Sequence, residues 1–158
     1  MAAALKYHEP VSWNYHLLFF DYGQIYLEKE LEVAHKFAAH YGRILKVHKL
    51  PLEHDMERRN FYFLMEAKRL GYKTVITGNR NIAPIFDKYK DSNYLSIKAF
   101  AHLINLKVWM PVSAWPKSKV VKFVRKYYDG PVYNCLLNND DYRTCPCANC
   151  EELRKILP

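Results

Sequence analysis

The sequence predicts an α/β fold: a parallel sheet with helices on both faces, followed by a C-terminal metal-binding segment. Three observations predict it. Short apolar runs alternate with amphipathic stretches of helical period, glycines stand where those helices should stop, and all four cysteines fall in the last quarter of the chain. Strands alternating with helices in this way run parallel and are joined by right-handed crossovers. The 158 residues, half of them hydrophobic and 15% aromatic, supply one globular domain with a substantial core.

Tyr15 to Asp21 (YHLLFFD) is an apolar run between polar residues and reads as a buried strand ending at Asp21. Leu27, Leu31, Ala34, Ala38 and Tyr41 then recur at three- and four-residue steps, which predicts a helix over 25–41 stopped by Gly42. Ile44 to Leu50 is the second strand. A helix over 57–70 stopped by Gly71, then a third strand over 73–78, repeat the cycle. After a loop with Pro84 and the polar stretch 87–93, a helix over 94–105 is expected to bury Leu95, Ile97, Ala99, Leu103 and Ile104. Lys107 to Val112 is the fourth strand. Pro116 opens a helix running to about Tyr128, Gly130-Pro131 stops it, and a last helix is expected near 151–156.

Cys135, Cys145, Cys147 and Cys150 have the spacing C-x9-C-x-C-x2-C. Four thiolates in so short a segment suit the closed tetrahedral shell of a structural Zn²⁺ site. Two disulfides are the alternative. Met1 to Tyr7 carry no basic n-region, continuous apolar h-region or cleavage site, so a reducing, cytoplasmic compartment is the expectation. Buried thiols or a redox pair are the remaining readings. No apolar run approaches the ~18 residues of a membrane span, and no membrane partner is expected. None of the seven histidines stands beside the cysteines, and they read as surface or core residues.

In a parallel α/β sheet, ligands bind at the carboxyl ends of the strands, where loops and helix N-termini converge. The residues at those ends are Asp21-Tyr22-Gly23-Gln24, the loop before Arg58-Arg59-Asn60, Thr77-Gly78-Asn79 and the stretch from Pro111 to Lys117. Phe20-Asp21-Tyr22-Gly23-Gln24, Arg59-Asn60, Thr77-Gly78, Asp91 with Ile97-Lys98, Pro111 with Lys117, and the four cysteines follow one another in an order that resembles the 7-cyano-7-deazaguanine synthase family. That family belongs to the PP-loop ATP pyrophosphatase-like enzymes, and the resemblance runs over nearly the whole chain. The FDYGQ segment and the cysteine cluster carry most of its specificity.

The resemblance implies a Rossmann-like, adenine nucleotide alpha hydrolase-like fold, with a nucleotide-binding-type domain over 1–131 and a zinc-binding segment over 132–158. It also implies ligation: activation of 7-carboxy-7-deazaguanine with ATP and Mg²⁺, then conversion with ammonia to the nitrile used in queuosine and other 7-deazapurine biosynthesis. Activation of this kind needs cationic clamps and metal ligands more than a side-chain nucleophile. Arg59 and Lys117 are the catalytic candidates, and Asp21, Tyr22, Gly23, Gln24, Asn60, Thr77, Gly78 and Asp91 the substrate- or nucleotide-binding ones. Cys135, Cys145, Cys147 and Cys150 are the metal ligands. A homodimer is one assembly left open.

The chain departs from the family pattern at several places. Arg58 stands where a Gly is expected before Arg59-Asn60, Asn93 where an Arg is expected after Asp91, and Lys119 where an acidic residue is expected after Lys117. The family's opening strand and Ser-Gly-Gly-x-Asp-Ser loop, which cradles ATP phosphates, do not occur in this sequence. Met1 to Tyr7 reads instead as the middle of an uncapped helix, so a truncated product or a natural loss of the loop is expected, with little ATP turnover.

Each functional reading has a plainer competitor. Arg59 and Lys117 taken alone are ordinary surface charges, Asp21 to Gln24 can be turn and cap residues, and Asp91 sits in a polar stretch where a solvated carboxylate is common. The net charge of +8, from 24 Lys and Arg against 16 Asp and Glu, favours anionic partners. Lys117, Lys119, Lys122, Arg125 and Lys126 form a basic run on one helix, which supports a second reading: a noncatalytic homologue that binds a 7-deazapurine or nucleic acid. The competitor there is a solvated helix face.

Overall fold

A computed structural model of the chain describes residues 15–50, 58–79, 91, 93–130, 141 and 143–156. They fall into two compact units, one within Asp55–Tyr127 and the other formed by Asn14–His54 with Tyr128–Pro158. Both are mixed α/β.

In the second of these, strand β1 (Leu17–Asp21) pairs in parallel with β2 (Leu45–Lys49), in a register that runs from Leu17 opposite Leu45 to Asp21 opposite Lys49. Helix α1 (Leu27–His40) makes the crossover and buries Phe37 and Ala38. The chain re-enters this unit at Tyr128, whose buried ring meets Phe37 and His40 edge-on, with centroids 5.3 Å and 5.0 Å away. Edge-to-face contacts of this kind suit the negative face and positive edge of aromatic rings. Gly130 lies against the Tyr128 ring so closely that a Cβ there would stand 2.4 Å from it, so no larger residue fits without displacing the ring.

The other unit repeats the parallel pairing with shorter strands. Helix α2 (Arg59–Arg69) leads into β3 (Thr74–Ile76), and α3 (Tyr94–Leu103) into β4 (Lys107–Trp109), which lies parallel to β3. Helix α4 (Lys117–Tyr127) follows. Leu64, Ile97, Ala101, Leu106, Val108 and Met110 form its core, with Val75, Tyr94, Phe100 and Ile104 against it. A smaller cluster joins Val112 to Ile76, Trp115, Val120, Phe123 and Val124. Phe61 of α2 stacks on Phe100 of α3 at 4.5 Å.

Gly42 and Gly71 stop α1 and α2 as expected, with φ of +59° and +85°. The residue after each donates its N–H five residues back, Arg43 to Ala38 and Tyr72 to Ala67, which satisfies carbonyls that the helix end would leave open. Asn105, at φ +52°, ends α3 in the same way, with the Leu106 N–H on the Ala101 carbonyl.

Four expectations need correction. The ladders among the described residues form two two-stranded sheets, not one four-stranded sheet, and β3 and β4 are only three residues long. The fourth strand stops at Trp109 because the chain turns over 111–114, where Met110 accepts from Ser113 and Val112 from Trp115. The buried face of α3 is built on Tyr94, Ile97, Ala101 and Ile104, at three- and four-residue steps; Leu95 and Leu103, expected inside, are 72% and 82% exposed. The last helix, α5, starts earlier than expected, at Ala148, and spans Ala148–Arg154. Cys147 has extended φ and ψ and its carbonyl accepts from the Glu151 N–H, so the first turn begins directly after it.

Candidate metal centre and strand-end site

Cys145, Cys147 and Cys150 are all buried, and their Sγ atoms all lie within 4.8 Å of one another. No disulfide joins them. Thiolates at a Zn–S distance of about 2.3 Å in a tetrahedral shell stand about 3.8 Å apart, so one ion can be reached by all three. The donor set is soft and, once deprotonated, anionic, which suits zinc and not a hard cation.

A short loop and one helical turn produce this arrangement. Asp141 Oδ1 accepts from the Arg143 N–H at 2.9 Å, and the Asp141 carbonyl accepts from the Thr144 and Cys145 amides at 3.3 Å and 3.1 Å. That folds the backbone tightly ahead of Cys145, as an Asp side chain bonding two residues on commonly does. Cys147 then stands at the N-cap position of α5, and Cys150 on its first turn. Arg154 reaches back from that helix, its Nη1 donating to the Cys145 carbonyl at 2.6 Å and to the Arg143 carbonyl at 3.3 Å. Charge-assisted bonds to backbone oxygens fix the loop against the helix. Cys135, the fourth expected ligand, lies outside the described residues.

The second site is at the carboxyl ends of β3 and β4. Helices α2 and α3 each precede one of these parallel strands, so their N-termini face the same edge as the loops after Ile76 and Trp109. Asp91, 1% exposed, stands just before α3, and its Oδ2 accepts from the Asn60 N–H at the start of α2 at 2.8 Å. Its Oδ1 is buried and makes no hydrogen bond among the described residues. Burial pushes the Asp91 carboxyl above its ordinary range, against the opposing pull of the Asn60 amide and the Arg59 charge. A buried acceptor left open in this way costs about 1–3 kcal/mol, and a polar ligand group placed there would remove that cost.

Arg59, Asn60 and Asp91 are thus brought together from opposite ends of a 31-residue separation. Thr77 and Gly78 follow β3 at the same edge; the Thr77 N–H extends the ladder to the Trp109 carbonyl, and its hydroxyl bonds Asn79 Oδ1 at 2.7 Å. Lys117 opens α4 in the same unit and is only 9% exposed, unlike the rest of the basic run. Lys98 donates from α3 to the Val108 carbonyl and lies over the Tyr94 ring, tying helix to strand.

Asp21, Tyr22, Gly23 and Gln24 belong to the other unit and form a closed turn after β1. Asp21 Oδ1 accepts from the Gly23 N–H at 3.0 Å, and Gln24 Oε1 from the Tyr22 N–H at 2.9 Å. The buried Gln24 amide also donates to the Phe20 carbonyl and to Glu30 on α1.

Sequence reasoning did not single out Asp141 or Arg154, nor the role of Asn93. Asn93 Oδ1 accepts from the Leu95 and Ser96 amides and caps α3 beside Asp91. Its signal was present, since Asn directly before an apolar helix is a preferred cap. Arg154 carries no such signal.

No protein-family model matches this chain, and no curated protein matches it.

Proposed function

We propose that the chain is a 7-cyano-7-deazaguanine synthase-like ligase of Rossmann-like architecture, with a structural zinc held by its cysteine loop. The carrying observation is Asp91: a buried carboxyl at the ends of two parallel strands, with one oxygen on the Asn60 amide and the other without a hydrogen bond among the described residues. A 7-deazapurine ring offers N–H donors that such an oxygen accepts. Burial of that oxygen makes the choice selective, because an analogue lacking the donor leaves it unsatisfied.

In this reading Asp91 orients the base. Arg59, whose charge acts on Asp91, and the buried Lys117 are the cations that bind the carboxylate and the negative charge developing as it is activated. ATP with Mg²⁺ would supply the leaving group that makes the carboxylate reactive toward ammonia; because this sequence holds no Ser-Gly-Gly-x-Asp-Ser loop, little ATP turnover is expected of it. Asn60 holds Asp91, and Thr77 and Gly78 line the adjoining strand end. Zinc supplies no chemistry: closed thiolate sites are structural.

Calorimetric titration of the chain with 7-carboxy-7-deazaguanine tests the reading. The expected result is binding that Asp91→Asn weakens at least tenfold while the fold is retained. Absence of binding by the wild-type chain overturns it. ATP hydrolysis stimulated by that ligand and ammonia separates the ligase from a noncatalytic binder of the same base.

A further inference from the structure

The positive charge of this chain is concentrated in one stretch. Between Asp91 and Asp129 there is no acidic residue, yet the stretch holds seven of the 24 Lys and Arg, so the remainder of the chain is balanced to within one charge. Five of the seven lie on α4, and the structure divides them. Lys117 is buried, whereas Lys119, Lys122, Arg125 and Lys126 are exposed. Lys119, Lys122 and Lys126, at steps of three and four, share one helix face over about 10 Å.

We propose that this exposed face of α4 binds the sugar–phosphate backbone of a nucleic acid. Two features favour that partner over others attracted by positive charge. A basic helix that lies on a membrane needs a free apolar face to insert, but here Val120, Phe123 and Val124 are packed with Val112, Ile76 and Trp115 in the unit's own core. A protein partner needs a desolvated apolar or aromatic anchor at the centre of the contact; the exposed face offers a row of ammonium groups, with Tyr127 at its end as the exposed aromatic of the helix. Charge without an anchor is the chemistry of phosphate contacts, which position a chain on nucleic acid without reading its sequence. Lys119 lies over the Trp115 ring at 4.3 Å and Lys126 over Tyr127 at 5.4 Å, so two of the charges are held in place by cation–π contacts.

The test is fluorescence anisotropy of a labelled single-stranded RNA of mixed sequence, titrated with the full chain at several salt concentrations. Binding is expected to weaken steeply with salt. The K119Q/K122Q/K126Q variant should lower the slope of log K against log salt by about 2, and K122Q alone by about 0.7, as three and one released phosphate contacts require. K29Q/K36Q/K155Q removes the same charge from the other unit and should leave the slope unchanged. Equal loss in that variant, salt-independent or absent RNA binding, or tighter binding to phosphatidylserine vesicles than to RNA at the same salt overturns the proposal.

Discussion

In the unit that holds the cysteines, the candidate metal ligands Cys145, Cys147 and Cys150 are separated by one and two residues, and a loop and a helical turn bring their sulfurs together. In the unit that holds Asp91, the carboxyl and its amide partner stand 31 residues apart. The first arrangement is local and could hold a metal ion; the second exists only when α2 and α3 are packed, with Phe61 on Phe100 and Ile97 in the core. The two should therefore fail independently and under different treatments.

Metal removal should produce the largest effect. Structural zinc contributes about 10–16 kcal/mol in isolated fingers, an upper bound for this loop. Chelation or Cys150→Ser is expected to abolish bound zinc and the hydrogen-exchange protection of 143–156 while the amides of α2 and α3 keep theirs. Metal analysis with exchange mass spectrometry reads both, and concerted loss in the two units would break the comparison.

Asp91→Ala should reverse the pattern. It leaves the Asn60 amide without its acceptor, which costs about 1–3 kcal/mol, but also removes the open Oδ1, so the net destabilisation in denaturant unfolding is expected to be at most of that size, with zinc content unchanged. Asp91→Asn sharpens the point through pH. The folded-state pKa lies above the ordinary 3.8, so the native state binds the proton more tightly than the unfolded chain. Stability from this group is full below 3.8 and is lost as pH rises through the raised value. The Asn variant, which does not ionise, should gain on the wild type across that window and then hold its gain; melting curves at several pH values measure it.

Arg154→Ala acts on the metal unit without touching a ligand. Loss of its bonds to the Cys145 and Arg143 carbonyls should lower zinc affinity about tenfold, measured by competition with a chromophoric chelator. The smallest effect is expected for Asn93→Ala, which removes the cap of α3 at a cost of about 1 kcal/mol in thermal unfolding and leaves zinc affinity as it was.

Much of the local structure was legible in the sequence. The helix stops at Gly42 and Gly71 follow from the left-handed backbone those positions adopt, and β1 and β2 lie within the runs read for them. The buried face of α3 is not legible in the sequence, because Leu95, Ala99 and Leu103 also recur at helical spacing; two apolar stripes on one helix cannot be ranked until the neighbour that covers one of them is known. The basic run on α4 was visible as a run, but its division into a buried Lys117 and an exposed remainder was not.

The sequence by itself determined the alternation of strands and helices, the concentration of charge and the cysteine spacing, because each depends on residues close together in the chain. Tertiary structure decided that the parallel strands pair as β1 with β2 and β3 with β4, that Asp91 is buried against Asn60, and that Arg154 closes the cysteine loop. These depend on which surfaces exclude water together, and side-chain burial and hydrogen-bond partners across long separations are properties of the packed chain, not of any window within it.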